Sequence, residues 1–181
     1  ASKPIEVVET KNGFDESGID RTAKLFIGGK QTRPDGNYSR IILSPKGKRL
    51  GEVGDGNRKD IRNAVAAARA AEAWSKTSTH NRAQILYYLA ENLSARSQEF
   101  ASRISALTGG SAAQAKAEVV QSIDRLFTYG AYADKFEGVV HQPPLRGVAL
   151  AMKEPIGVVG LICPDEAPLL SFVSLVAPNI A

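Results

Sequence analysis

The feature that most constrains the fold is an apolar run close to the carboxyl end of the chain. Residues Ile156 to Ile162 are apolar on both faces, which is typical of a parallel strand that is covered on both sides. Pro168 begins a second apolar stretch, which predicts a helix after that strand. A strand followed by a helix indicates an α/β chain with the first unit of a doubly wound sheet. Because such a sheet needs several units, we expect the 181 residues to hold only part of it.

Short strands and tight turns occupy the earlier part of the chain. Leu25 to Ile27 lead into Gly28 and Gly29, a pair that suits a tight turn. Ile41 to Leu43 and Leu50 to Val53 are the next apolar runs, and turn residues separate them. These runs predict a small β-meander.

Helical patterns follow the meander. Asn57 and Asp60 stand three residues apart, which is the spacing of a capping arrangement at the start of a helix. Ile61, Val65 and Ala68 recur at helical spacing, with the small residues Ala64 and Ala71 beside them, and predict the buried face of that helix. Three more helical patterns follow, with breaks near residues 94–97, at 109–110 and at 138. Their predicted buried positions are Ile85, Leu86, Leu89, Leu93, Phe100, Ile104, Leu107, Val119, Ile123, Leu126 and Phe127.

Composition and charge narrow the classes of partner. Lys and Arg exceed Asp and Glu by 23 to 19 without interleaved aromatic residues, so we predict no nucleic-acid partner. No apolar stretch approaches the roughly 20 residues that cross a bilayer, and we predict no membrane partner. The single cysteine excludes an internal disulfide, and a cytoplasmic location is predicted. His80 and His141 have no further ligands at metal-binding spacing, so no metal site is predicted.

A motif near the carboxyl end can be compared with known families. Glu154 to Gly160 has the sequence E-P-I-G-V-V-G, and Ile162, Pro164 and Pro168 follow it. This run resembles the strand and turn E-P-x-G-V-x-G-x-I-x-P-W-N-F-P-L-L of the aldehyde dehydrogenase superfamily. The resemblance implies an α/β fold, the start of the aldehyde dehydrogenase fold. That start comprises a β-meander with helices, a bridging strand pair and the first strand–helix unit of a Rossmann-like sheet.

The same resemblance covers the chain from Leu25 to Ala181, and together with the unpatterned, charged start of the chain it divides the sequence into four segments. Residues 1–22 are expected to form a linker or flexible leader, and residues 23–136 the first strands and a helical layer. Residues 137–154 correspond to the strands that bridge subunits in this family. Residues 155–181 correspond to the first, incomplete part of the dinucleotide-binding domain.

One departure from the family pattern affects the expected chemistry. The family sequence W-N-F is replaced by Asp165-Glu166-Ala167. In the family, the Asn side chain donates a hydrogen bond to the oxyanion that forms when a cysteine thiolate attacks the aldehyde. A carboxylate at this position would repel the oxyanion, so the resemblance implies that Glu166 is not functional there and that this chain supplies no catalytic residue. The pattern C-P-D-E-A-P-L-L, with H-Q-P-P-L-R-G upstream, looks most like the second, degenerate unit of a family 16 aldehyde dehydrogenase, a protein with two units in tandem.

The residues around the departure have alternative roles. Cys163 lies in an apolar run and is predicted to be a small buried side chain, because the family nucleophile comes far later in sequence. Asp165 and Glu166 are predicted to be solvated or to cap the following helix. If NAD binds, the resemblance implies contacts from Ile162, Cys163, Pro164 and Asp165. We expect weak or no binding of NAD, because the adenosine and pyrophosphate sites are not among these residues.

Three functional hypotheses remain open at the level of sequence. The first is a partial aldehyde dehydrogenase-like module, non-catalytic by itself, with a role in structure, oligomerisation or docking to a protein partner. Its partner would be a second copy, another aldehyde dehydrogenase unit or a different protein. The second is part of an active NAD-dependent aldehyde dehydrogenase that oxidises aldehydes to carboxylic acids with catalytic residues outside this sequence. The third is a truncated product that binds partners through exposed core surface.

Overall fold

The computed structural model describes residues 9–10, 22–135, 138–144 and 146–181. The chain divides into two compact units, and each is described by itself. Unit 1 comprises the described part of Ala1–Ala71 together with Ala106–Gly109, and unit 2 comprises the described part of Glu72–Ser105 and Gly110–Ala181. Most of the predicted leader, residues 1–22, lies outside the described residues. The division into four sequence segments therefore stays a prediction.

The described residues of unit 1 form five short strands, β1 to β5. Strands β2 (Leu25–Ile27) and β3 (Lys30–Thr32) form a hairpin, in which Gly28 and Gly29 have φ values of 62° and 77°. Such angles favour glycine, so the predicted turn is confirmed. Strands β1 (Glu9–Thr10), β4 (Ser39–Leu43) and β5 (Arg49–Gly54) form an antiparallel sheet in the order β1-β4-β5. The predicted meander strands are thus present, in two small sheets.

Helix α1 (Arg58–Ala70) begins with the predicted capping box. The side chain of Asn57 accepts from the backbone N–H groups of Lys59 and Asp60, and the carboxylate of Asp60 accepts from the backbone N–H of Asn57 at 2.9 Å. The same carboxylate accepts from the backbone N–H of Asp35 at 3.1 Å. Asp60 is therefore buried with hydrogen bonds to both carboxylate oxygens, which offset part of the cost of burying a charge.

The predicted buried face of α1 is wrong at Ile61, Val65, Ala68 and Ala71, and is right at Ala64. Ile61 is 64% exposed and Val65 is 37% exposed, and Ala68 is also exposed. The positions that face the interior of unit 1 are Asp60, Ala64 and Ala67. Periodicity failed here because a hydrogen-bonded carboxylate and two small alanines occupy the buried positions, and the larger apolar side chains lie beside them.

Unit 2 is mainly helical. Helix α2 (Thr79–Ala95) is capped by the side chain of Ser78, and helix α4 (Ala112–Ala133) by a capping box of Ser111 and Gln114. Helix α3 (Ser97–Thr108) lies between them in sequence. Its residues up to Ser105 belong to unit 2, and those from Ala106 onwards belong to unit 1. A short 3-10 helix, Glu72–Lys76, precedes α2. The breaks predicted at residues 94–97 and 109–110 are confirmed.

Helix α5 (Pro168–Ile180) completes the core of unit 2, and α4 packs against both α2 and α5. Four of the predicted helix positions, Ile85, Leu89, Leu107 and Phe127, are instead partly exposed. The buried positions include four alanines, whose small side chains let neighbouring helices approach closely. The buried apolar cluster consists of Leu86, Ala90, Leu93, Ala101, Ile104, Ala115, Val119, Leu126, Val173 and Ala177.

Two strands of unit 2 form an isolated hairpin. Strand β6 (Val139–His141) pairs antiparallel with β7 (Ala149–Ala151), and all six residues are exposed. The run from Ile156 to Ile162 that predicted a parallel strand is in neither a helix nor a strand, and both of its terminal isoleucines are 93% exposed. A strand needs a hydrogen-bonded neighbour, and the described residues provide none for this run. The run is apolar, but the prediction that it forms a parallel strand is wrong for the described structure.

Candidate functional site

The segment before α5 holds the residues that the sequence singled out. Ala167 has a left-handed backbone conformation with φ 47° and ψ 61°, and Pro168 takes the first helical position. A proline is favoured there because its missing N–H needs no partner at that position. The hydroxyl of Ser171 donates to the carbonyl oxygen of Glu166 at 2.8 Å. The turn Asp165-Glu166-Ala167 is thus tied to the first turn of α5.

The N-terminus of α5 is capped from another helix. Ala167 offers no side-chain acceptor, and Oε1 of Glu118 in α4 accepts from the backbone N–H groups of Leu169 at 2.8 Å and Leu170 at 3.2 Å. A carboxylate at this end of a helix also interacts favourably with the partial positive charge of the helix dipole. Sequence reasoning missed Glu118, since it precedes the helix it caps by about fifty residues. The only signal was the lack of a local cap before Pro168.

At the C-terminal end of α5, a backbone carbonyl oxygen accepts a hydrogen bond from an arginine of α2. Arg82 in α2 donates from Nε to the carbonyl oxygen of Ala181 and from Nη1 to the carbonyl oxygen of Thr77, both at 2.6 Å. A guanidinium near the last carbonyl groups of a helix satisfies acceptors that the helix itself leaves free. Together with buried Val173 and Ala177, Glu118 and Arg82 fix α5 in unit 2.

The predicted contact residues lie together on an exposed turn. Ile162, Cys163, Pro164, Asp165 and Glu166 are all exposed and consecutive. The prediction that Cys163 is buried is wrong, because the strand that would have enclosed it is not formed. Asp165 and Glu166 are solvated, as predicted, but the N–H groups of the first turn of α5 bond to Glu118 instead.

The histidines are far from this turn in sequence and both are on the surface, as predicted. His141 lies in β6, and Nδ1 of His80 is 4.0 Å from a carboxylate oxygen of Asp134. Within the described ranges, no three residues among His, Cys, Asp and Glu gather in a metal-binding group. None of the helices in those ranges combines the length and apolar composition needed to cross a bilayer.

The exposed turn does not by itself form a dinucleotide site. A bound dinucleotide is normally enclosed by a concave surface that buries most of it, whereas residues 162–166 are open to solvent. Asp165 and Glu166 place two carboxylates on this open turn. Residues 162–166 therefore do not enclose a dinucleotide by themselves, and their predicted contacts with NAD stay a prediction.

Comparison with known proteins identifies the family. The sequence profile described as aldehyde dehydrogenase family matches residues 31–181. The chain belongs to the aldehyde dehydrogenase family. Aldehyde dehydrogenase family 2 member B4, mitochondrial, of Arabidopsis thaliana is 34% identical over 163 residues, which is 87% of this chain and 30% of that protein. Cytosolic 10-formyltetrahydrofolate dehydrogenase of Homo sapiens is 31% identical over 157 residues, which is 81% of this chain and 17% of that protein.

Solved structures of the family show the same fold. An NAD-dependent aldehyde dehydrogenase from Sinorhizobium meliloti is 28% identical with a TM-score of 0.80, over 86% of this chain and 32% of that one. A betaine aldehyde dehydrogenase from Staphylococcus aureus, solved in complex with NAD+, has a TM-score of 0.85 at 24% identity, over 88% of this chain and 33% of that one. The predicted α/β fold class, the start of the aldehyde dehydrogenase fold, is therefore confirmed. The chain spans a third or less of each of these four relatives.

Proposed function

We propose that this chain is an aldehyde dehydrogenase-like module that is non-catalytic by itself and acts by docking to an aldehyde dehydrogenase unit, either a second copy or a tandem neighbour. The observation that carries the proposal is Glu166, an exposed carboxylate at the position that the family resemblance gives to the oxyanion-binding Asn. The tandem arrangement would be that of a family 16 aldehyde dehydrogenase.

The chemistry of Glu166 argues against catalysis at this turn. An oxyanion is stabilised by hydrogen-bond donors, whereas an ionised carboxylate only accepts and carries like charge. Loss of one such donor costs about a hundredfold to a thousandfold in rate, and a repulsive charge adds to that loss. The exposed thiol of Cys163 precedes this turn, but the family resemblance places the nucleophile far later in sequence, so the family nucleophile is not assigned to Cys163.

The docking part of the proposal rests on the hairpin β6–β7 and the run after it. Val140 in β6 and Leu150 in β7 are 69% and 61% exposed, and Ile156 is 93% exposed. Exposed apolar strands with free edges pair readily with a further strand. The resemblance assigns this segment to the strands that bridge subunits, so an aldehyde dehydrogenase unit is the proposed occupant.

Docking is tested by changing one exposed valine in the hairpin. Val140→Lys should shift the purified chain from oligomer to monomer in light scattering coupled to gel filtration, because a buried lysine at a strand interface is costly. Val120→Lys is the matched control, since Val120 is also an exposed valine, 48% exposed, but lies on α4. A monomeric wild-type chain, or an equal effect of both substitutions, would contradict self-association through the hairpin.

Catalysis and cofactor binding are tested on the same sample. We expect no aldehyde-dependent formation of NADH and no saturable heat of NAD binding at micromolar concentrations, together with a cooperative thermal melt. Saturable NAD binding with a raised melting temperature would overturn the non-catalytic assignment. Strong binding of a hydrophobic dye without a cooperative melt would instead support a truncated, incompletely folded product.

The second candidate function is part of an active NAD-dependent aldehyde dehydrogenase whose catalytic residues lie in further sequence. Its support is that the compared relatives are three or more times longer than the matched region. Glu166→Asn distinguishes the two candidates in the longest available form of the protein. Aldehyde-dependent formation of NADH that rises further in Glu166→Asn would favour the active enzyme, and an absence of activity in both forms would favour the docking module.

A further inference from the structure

The charges of the chain are unequally divided between the two units. The described residues of unit 1 (9–10, 22–71 and 106–109) contain eleven Lys and Arg against five Asp and Glu, a net charge of +6. The described residues of unit 2 contain nine Lys and Arg and nine Asp and Glu. Two of the five described acids of unit 1, Glu52 and Asp60, are buried. The small net charge of the whole chain, +4, therefore conceals a cationic surface on unit 1.

Three arginines of α1 form a stripe on this surface. Counting about 100° per residue from Asp60, the buried position, Arg58, Arg62 and Arg69 lie at about 160°, 200° and 180°. They are thus opposite to the face formed by Asp60, Ala64 and Ala67, and all three are exposed. Successive members are separated by about 6 Å and about 10.5 Å along the helix axis. We call Arg58, Arg62 and Arg69 the arginine stripe.

The described residues offer the arginine stripe no partner that explains it. Within the described part of the chain, no side-chain hydrogen bond or ion pair involves its members. The charge of Arg62 acts on Asp35, but the pKa of Asp35 is lowered first by the hydrogen bond from Lys59 and only to a smaller extent by Arg62. Asp35 is thus already paired with Lys59.

Arg58 is also unfavourably placed for the helix itself. It is the first residue of α1, where the partial charge of the helix dipole is positive and acidic residues are preferred. Its position gives no local stabilisation, and its exposed guanidinium is available to a group outside the chain. Binding to a partner would explain why an arginine occupies a position where it does not stabilise the helix.

The side chains beside the stripe indicate the kind of partner. Ile61 and Val65 lie at about 100° and 140° from Asp60, next to the arginines on one side, and both are exposed. Arginine binds carboxylates through two parallel hydrogen bonds and is enriched in protein interfaces, whereas lysine is depleted there. No aromatic residue lies on α1 for base stacking. Two apolar side chains are also fewer than a membrane-inserted helix presents.

We propose that the arginine stripe is a docking surface for an acidic amphipathic helix of a protein partner. Its carboxylates would be spaced i, i+4 and i+11 to meet Arg58, Arg62 and Arg69, with an apolar residue against Ile61 and Val65. This surface belongs to unit 1 and the hairpin of the proposed function belongs to unit 2, so the two proposals can fail separately.

The test is fluorescence anisotropy with the purified chain and a labelled helical peptide that carries glutamates at those three positions and leucines beside them. The triple substitution Arg58→Glu, Arg62→Glu, Arg69→Glu should weaken binding at least about tenfold, because three attractions become repulsions. The matched control is Arg40→Glu, Lys46→Glu, Lys48→Glu, which makes the same change in net charge on exposed residues of β4 and the following turn. This control should change affinity less than about threefold.

Each alternative outcome is informative. Equal weakening by both triple variants, or equal binding of a peptide with glutamines in place of glutamates, would overturn the proposal in favour of unspecific attraction. Tighter stripe-dependent binding to an RNA oligonucleotide or to phosphatidylserine vesicles would replace the protein partner with that class. An absence of binding by the unchanged chain would also overturn it. If circular dichroism shows that the charge-reversed variant is unfolded, Arg58→Gln, Arg62→Gln, Arg69→Gln takes its place.

Discussion

Removal of the Glu118 carboxylate should release the start of α5. In Glu118→Ala, the N–H groups of Leu169 and Leu170 lose their shared acceptor in a partly buried site. A hydrogen bond to a charged group contributes about 1.5–3 kcal/mol. The second bond is longer and uses the same oxygen, so the two do not add fully, and we expect a total loss of about 2–3 kcal/mol from the local stability of the helix start.

Amide hydrogen exchange measures this loss at the two residues concerned. A decrease of about 2–3 kcal/mol corresponds to roughly 30- to 160-fold faster exchange of the Leu169 and Leu170 amides. Glu118→Gln keeps an acceptor oxygen but loses its charge and its interaction with the helix dipole, and should cost about 1 kcal/mol. Glu118→Ala should therefore lower the stability of the helix start more than Glu118→Gln does.

Glu91→Ala provides the control, because Glu91 is an exposed acid on α2 without an ion pair among the described residues. Its effect on global stability should stay within about 0.5 kcal/mol. If Glu118→Ala and Glu91→Ala have the same effect on urea unfolding, and if the Leu169 and Leu170 amides exchange no faster, then Glu118 does not cap α5 and the account of the turn at residues 165–167 is wrong.

Two further predictions concern unit 2. Arg96 donates to Glu99 at 2.9 Å and lowers its pKa below the ordinary 4.5, with a smaller effect of Arg103. The ion pair therefore adds stability above pH 4.5, and this stability is lost as the pH falls through the lowered pKa of Glu99. Arg96→Ala should return the pKa of Glu99, measured by NMR, towards 4.5. An unchanged pKa would refute the pairing. A Cβ on Gly130 would lie 2.6 Å from the Tyr87 ring, so Gly130→Ala should destabilise unit 2 by about 1–3 kcal/mol in urea unfolding, and a neutral result would show that the ring moves away freely.

Local features were determined by the sequence alone. The capping box of Asn57 and Asp60 and the turn at Gly28-Gly29 depend on residues within one or two turns of each other, so their chemistry is visible in a short window. The family motif around Glu154 to Gly160 was equally local, and it identified the fold class. The same motif singled out Glu166, because the replacement of one residue in a family pattern is visible in the sequence itself.

Features that depend on distant neighbours required the tertiary structure. Glu118 and Leu169 are brought together only by the packing of α4 against α5. The exposure of Ile61 follows from a hydrogen bond between Asp60 and the Asp35 backbone, 25 residues earlier, and apolar periodicity contains no information about such a bond. The run Ile156 to Ile162 has the composition of a buried strand, but a strand forms only when another strand accepts its hydrogen bonds. The sequence therefore determined which segments could form, and the available neighbours decided which faces became buried and which strand stayed unpaired.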